Sequence, residues 1–149
     1  MTFKQKIKQH HLVLLQDKID VYQDMISGLS EDAQNDAKGS AGDKHETALS
    51  MMHLEQEKLT NKLKESIDQQ AILSKLNSEQ LSSKVILGSV VVTNHITFYI
   101  STALPKIIID NRAVFAISPQ SPLGIQMMHK NVHAEFLVND VTYKILEIL

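Results

Sequence analysis

From Leu12 to Leu29, apolar side chains recur in alternating steps of three and four residues: Leu12, Leu15, Ile19, Tyr22, Ile26 and Leu29. That spacing keeps them on one side of a helix and predicts an unbroken heptad seam. Gly28 weakens its last turn. A second stripe begins around Asp43 and runs through Leu49, Met52, Leu59, Leu63 and Ile67, with Gln56 interrupting the seam and a later drift to steps of four. Between the stripes, residues 36 to 43 are rich in glycine and small side chains, which suits a reversal of direction. The pattern predicts an antiparallel coiled-coil hairpin, each arm of about 30 residues extending roughly 45 Å.

After residue 80 the period changes. The first 80 residues hold seven Val or Ile and no Pro, whereas residues 81 to 149 hold eighteen Val or Ile and all three prolines. This shift predicts a boundary near Gln80 to Lys84, with a helical domain over 1–80 and a β-rich domain over 84–149. Strands are expected at Val90 to Thr93, Ile96 to Ser101 and Val114 to Ile117, the last following an Asp110-Asn111 turn. Ser121 is placed to cap a helix of about two turns whose first residue is Pro122. Val132, Ala134, Phe136 and Val138 then alternate with polar residues, Asn139-Asp140 turns, and Val141, Tyr143 and Ile145 resume the alternation. The fold class is α+β: a helical hairpin followed by a small antiparallel sheet with one short helix.

Composition narrows the function classes. With 43% hydrophobic residues among 149, a packed core is available, and the absence of cysteine excludes disulfides, thiolate metal sites and a cysteine nucleophile. A formal net charge of −2 gives no global attraction to nucleic acid, so any such role runs through a local patch or a partner protein. No apolar run approaches the ~20 residues of a membrane span, and the charged start Met1 to Lys6 does not read as a signal peptide. The expected compartment is the cytoplasm, with no membrane partner.

The order and length of these parts resemble the Gre transcript cleavage factors across essentially the whole chain. The most specific match is Ala116-Ile117-Ser118-Pro119-Gln120-Ser121-Pro122-Leu123-Gly124, followed by Lys130-Asn131-Val132 and by Val141-Thr142-Tyr143-Lys144-Ile145-Leu146-Glu147-Ile148. It is similar to that family's Ile-Ser, Ser-Pro-hydrophobic, Lys-x-Val and Tyr-x-Ile-Leu-x-Ile pattern. At the hairpin turn, Gly42-Asp43-Lys44-His45-Glu46-Thr47-Ala48 is similar to the family's Gly-Asp-x-x-Glu-Asn-Ala. Thr47 stands where the family usually has Asn, and Ser50 where it usually has Tyr.

The resemblance implies an FKBP-like sheet domain and a partner, bacterial RNA polymerase. It implies an accessory factor, not an enzyme in its own right. In the family the hairpin enters the polymerase's secondary channel when the enzyme has backtracked. Acidic side chains at the turn then help hold a second Mg²⁺ and an attacking water against the RNA near its 3′ end. On that reading Asp43 and Glu46 are the catalytic and metal-holding carboxylates, the Mg²⁺ being shared with the polymerase active site rather than bound stably by the chain alone. Ser121 and Pro122 belong to the polymerase-docking surface.

The residues themselves are compatible with that chemistry. Mg²⁺ takes hard oxygen ligands and keeps several waters, and acids three apart face one side of a helix end. Residues 31 to 46 carry five acids against two lysines, a local net charge of −3. The same spacing also makes Asp43 and Glu46 close to a capping box, and the two roles are compatible. His129 and His133 lie four apart, but Val132 to Val138 reads as a strand, so the pair would not share a helical face. Two other functions remain open on sequence: a polymerase-binding regulator or inhibitor that does not cleave, and an FKBP-like prolyl isomerase or holdase. The second half has only Phe98, Tyr99, Phe115, Phe136 and Tyr143 to serve both a core and an aromatic-lined pocket.

Overall fold

The computed structural model describes the backbone of residues 1–39 and 43–149, and side chains at 1–32 and 46–149. Two long helices come first, α1 over Phe3–Gly39 and α2 over Asp43–Lys75. Six strands and one short helix follow: β1 Val90–Thr93, β2 Thr97–Ile100, β3 Ile107–Ile109, β4 Arg112–Ile117, α3 Pro122–Met127, β5 Glu135–Val138 and β6 Val141–Ile148. The chain is α+β, as its pattern predicts.

Residues 13–70 form one compact unit, the helical hairpin. Leu15, Ile19 and Leu59 are buried along its seam. Two side-chain pairs set the register of α1 against α2: the Gln70 amide donates to Gln16 Oε1 at 2.8 Å, and the Gln56 amide donates to Ser30 Oγ at 3.1 Å. Gln56 is therefore a polar layer of the seam and not a break in it. Steps of four and three carried on from Gln56 reach Leu59, Leu63 and Ser66, and Ser66 is buried whereas Ile67 is 44% exposed. The expected seam position at Ile67 is corrected to Ser66, because a heptad step of three from Leu63 keeps to the stripe and a step of four leaves it.

Gly28 lies within α1, and a Cβ added there meets nothing within 4 Å. Gly28→Ala is accordingly expected to stabilise the hairpin by about 0.5–1 kcal/mol, the helix-propensity difference between the two residues. A urea titration followed by helical circular dichroism checks this; a lower midpoint would mean that the site needs glycine.

The second unit comprises residues 1–12 and 71–149. The break in composition at 80 to 84 and the break in packing are thus different places: the start of α1 and the end of α2 belong with the sheet. Strand β2 shows why. All four of its residues are buried, so both of its faces need cover. Phe98 and Ile100 face a core with Val85, Val91, Met127, Phe136 and Ile145. On the opposite face the His11 ring stacks on Tyr99, with centroids 6.0 Å apart and planes within 7°. Buried Lys4 donates from Nζ to the Gln80 and Leu149 carbonyls at 2.9 and 3.2 Å, and the Arg112 guanidinium lies 4.5 Å from the centre of the Phe3 ring.

The sheet order is β3-β4-β2-β1-β6-β5. It is mixed, which corrects the antiparallel expectation: β2 and β4 run parallel, with Phe98 beside Phe115. The cause is β3, which the sequence reading did not include. After β2 the chain steps outward to form β3, then turns through Asp110 and Asn111 so that β4 returns between β3 and β2. Strand β3 acts as the crossover that a parallel pair requires. Both two-residue turns, Asp110-Asn111 and Asn139-Asp140, have positive φ at each position, the geometry of type I′ hairpins.

Candidate functional site

Two places carry the side chains singled out by sequence, and they lie in different compact units. The first is the start of α2. Asp43 is its first residue, and Glu46 follows within the first turn as an exposed carboxylate. A helix N-terminus presents unpaired N–H groups and a positive dipole end, which favours acids at these positions whatever their further role. The expectation for the Asp43 side chain, as cap or as metal ligand, lies outside the described residues. Thr47 and Ser50 are both exposed. Among the described residues, no group of three His, Cys, Asp or Glu side chains is gathered in one place.

The second place is the segment leading into α3. Ser121 takes an extended conformation (φ −67°, ψ 160°), and its hydroxyl both donates to the Ser118 carbonyl at 2.6 Å and accepts from the Gly124 N–H at 3.0 Å. Its hydrogen bonding is therefore committed to holding the helix start. Pro122 occupies the first helical position, where a missing N–H costs nothing, and is exposed. One turn on, Ile125 is 62% exposed, and residues three apart on a helix share a face. Pro122 and Ile125 form a small apolar surface, whereas Ser121 is its support. The sequence reading missed Ile125; its signal was a branched apolar residue on a helix too short to bury more than one side. Gly124 is buried because the Ser118-Pro119 backbone crosses directly over it, leaving Pro119 Cα only 2.9 Å from where a Cβ would stand.

His129 and His133 do not form a ligand pair on a helix. Helix α3 ends at Met127, both histidines have positive φ, and they flank the short bridge between Lys84 and Asn131.

A buried polar group in the second compact unit was also not anticipated. His11 and Tyr99 are fully buried, Ser101 is nearly so, and both His11 ring nitrogens, the Tyr99 hydroxyl and the Ser101 hydroxyl lack a hydrogen-bond partner among the described residues. Burial, aided by the neighbouring His10 charge, pushes the His11 imidazole down to about 4, and burial raises the Tyr99 hydroxyl to about 12. Because the His11 value in the folded chain lies below the ~6.5 of an unfolded histidine, the unfolded chain binds more protons between these limits. Stability is then full above about pH 6.5 and declines as pH falls toward 4, by up to about 3 kcal/mol. His11→Phe keeps a ring on Tyr99 without titrating, and should flatten that decline. Urea titrations between about pH 4 and pH 7 test this; a variant with the wild-type slope would assign the effect to other groups.

Compared with known proteins, the chain matches no family model and no curated protein sequence.

Proposed function

We propose that this chain is a Gre-like transcription elongation factor, which docks on bacterial RNA polymerase through its sheet domain, read as FKBP-like, and places the Asp43 and Glu46 carboxylates at the polymerase's active site. The observation that carries the reading is the pairing of two features in one chain. A helical hairpin has an acidic residue pair at the first turn of its second helix, and a sheet domain presents an exposed Pro-x-x-Ile face on a capped helix. The resemblance of the Ser121 to Gly124 and Gly42 to Ala48 segments to that family supplies the functional link.

The chemistry assigned to the chain is electrostatic. The polymerase would contribute its own metal and the RNA; Asp43 and Glu46 would supply anionic oxygen to hold a second Mg²⁺, and that ion would supply an activated water for hydrolysis of the RNA phosphodiester. The chain performs no hydrolysis alone. The factor's binding energy comes from the sheet domain, since a hairpin turn offers little apolar area.

A second reading, polymerase binding without cleavage, is favoured by Thr47 and Ser50, which replace the family's usual Asn and Tyr beside the acids. RNA shortening in a backtracked elongation complex separates the two. Docking has its own test. Ile125→Glu places a charge on an exposed side chain, so the fold should be unaffected, and affinity for polymerase should fall roughly tenfold or more if that face sits in the centre of the interface. Unchanged affinity in a competition assay would move the docking surface elsewhere.

A further inference from the structure

We propose that a notch at Gly28 in the helical hairpin receives an arginine side chain carried by a partner protein. The notch is a cavity of about 280 Å³ lined by Met25, Gly28, Leu29, Asp32, Glu55 and Leu59. It lies within the hairpin unit, drawing on both helices.

Gly28 is the first observation. A glycine inside a helix costs stability relative to alanine, and is retained where a left-handed φ or a close approach demands it. Neither applies: its φ is not in the left-handed region, and nothing lies within 4 Å of the place its Cβ would occupy. The internal packing of the chain gives this glycine no task. What its missing side chain does provide is the opening between Met25, Leu29 and Leu59.

Charge is the second. The floor of the notch is apolar, with Leu59 buried and Met25 half exposed. Its rim carries two exposed carboxylates, Asp32 from α1 and Glu55 from α2. The register fixed by the Gln16–Gln70 and Ser30–Gln56 bonds brings these two acids to nearly the same level across the hairpin. Among the described residues the one ion pair is Lys6 with Asp110, so neither carboxylate is in an ion pair there.

An apolar floor beneath two acids on opposite walls matches one side-chain type. An arginine stem packs on aliphatic and thioether groups, while its planar, weakly hydrated guanidinium has donors enough for both carboxylates. A lysine ammonium is more strongly hydrated and presents a point charge. The volume is just below the ~300–1,000 Å³ of small-molecule sites, which suits a single long side chain. This inference does not depend on the cleavage chemistry, since it rests on Asp32 and Glu55 and not on Asp43 or Glu46.

The test uses the full chain, isotopically labelled, titrated with N-acetyl-arginine methylamide and observed by NMR at the Gly28 amide and the Met25, Leu29 and Leu59 methyls. Saturable shifts confined to these groups are expected. N-acetyl-citrulline methylamide has the same shape without the charge and should bind at least roughly tenfold more weakly. Asp32→Asn with Glu55→Gln should abolish the arginine response while leaving the spectrum otherwise intact, and Gly28→Leu should abolish it by filling the notch. Absence of a saturable shift, an equal response to citrulline, or a response that survives the Asp32 and Glu55 changes would overturn the proposal.

Discussion

Replacing Asp43 with Asn and Glu46 with Gln together is expected to leave polymerase binding nearly unchanged and to lower stimulated RNA cleavage by roughly two to three orders of magnitude, the usual scale for removing a pre-organised electrostatic group. Asn and Asp have similar helix propensities, so the start of α2 should hold. Glu46 is exposed, and Gln there is nearly isosteric. What disappears is anionic oxygen, which a weakly held Mg²⁺ needs. Each single change should raise the Mg²⁺ concentration required for half-maximal cleavage, and the double change should lower the rate reached at saturation. If the double variant cleaves like the parent at every Mg²⁺ concentration, the two acids serve only as a helix start.

The second large effect is structural. Gly124→Ala should destabilise the sheet unit by about 3 kcal/mol or more, the upper range for forced overpacking, and lower Tm by roughly 6–12 °C. The added methyl would be driven into the Ser118 carbonyl and the Pro119 backbone. Backbone cannot rotate away as a side-chain end can. Relief requires moving either α3 or the 118–119 segment, and both Ser121 hydrogen bonds span that gap. Gly28→Ala is the matched control, where the same methyl enters open space and should raise stability. Thermal melts of the two variants beside the parent decide it: an unchanged Tm for Gly124→Ala would mean that the 118–119 segment yields to the added methyl at no cost.

The contrast between these glycines marks what sequence could and could not convey. Heptad spacing located the hairpin, and the Asp110-Asn111 and Asn139-Asp140 pairs located two turns, because each signal is local. Ser121 and Pro122 were legible for the same reason: a cap and a first-turn proline act within a few residues of chain. Strand β3 was missed although Ile107, Ile108 and Ile109 are all β-branched, since three residues carry no period and their pairing with β4 is a tertiary fact. Ser66 displaced Ile67 from the seam because register is set jointly by two helices, which hydropathy along one helix does not report. Strand β2 carries three successive large apolar or aromatic residues, Phe98-Tyr99-Ile100; the run implies cover on both faces without saying that His11 would supply part of it. The notch at Gly28 needs both helices in place before it exists.

On the proposed function, the chain helps polymerase cut backtracked RNA. The most direct measurement adds the purified full chain and Mg²⁺ to an elongation complex stalled in the backtracked state and follows the length of its 3′-end-labelled RNA on a sequencing gel. The proposed function predicts release of short 3′ fragments at a rate that rises with the concentration of the chain and falls in the Asp43→Asn, Glu46→Gln variant. RNA that keeps its full length while the chain demonstrably occupies the polymerase would contradict it and identify a binding factor that does not cleave.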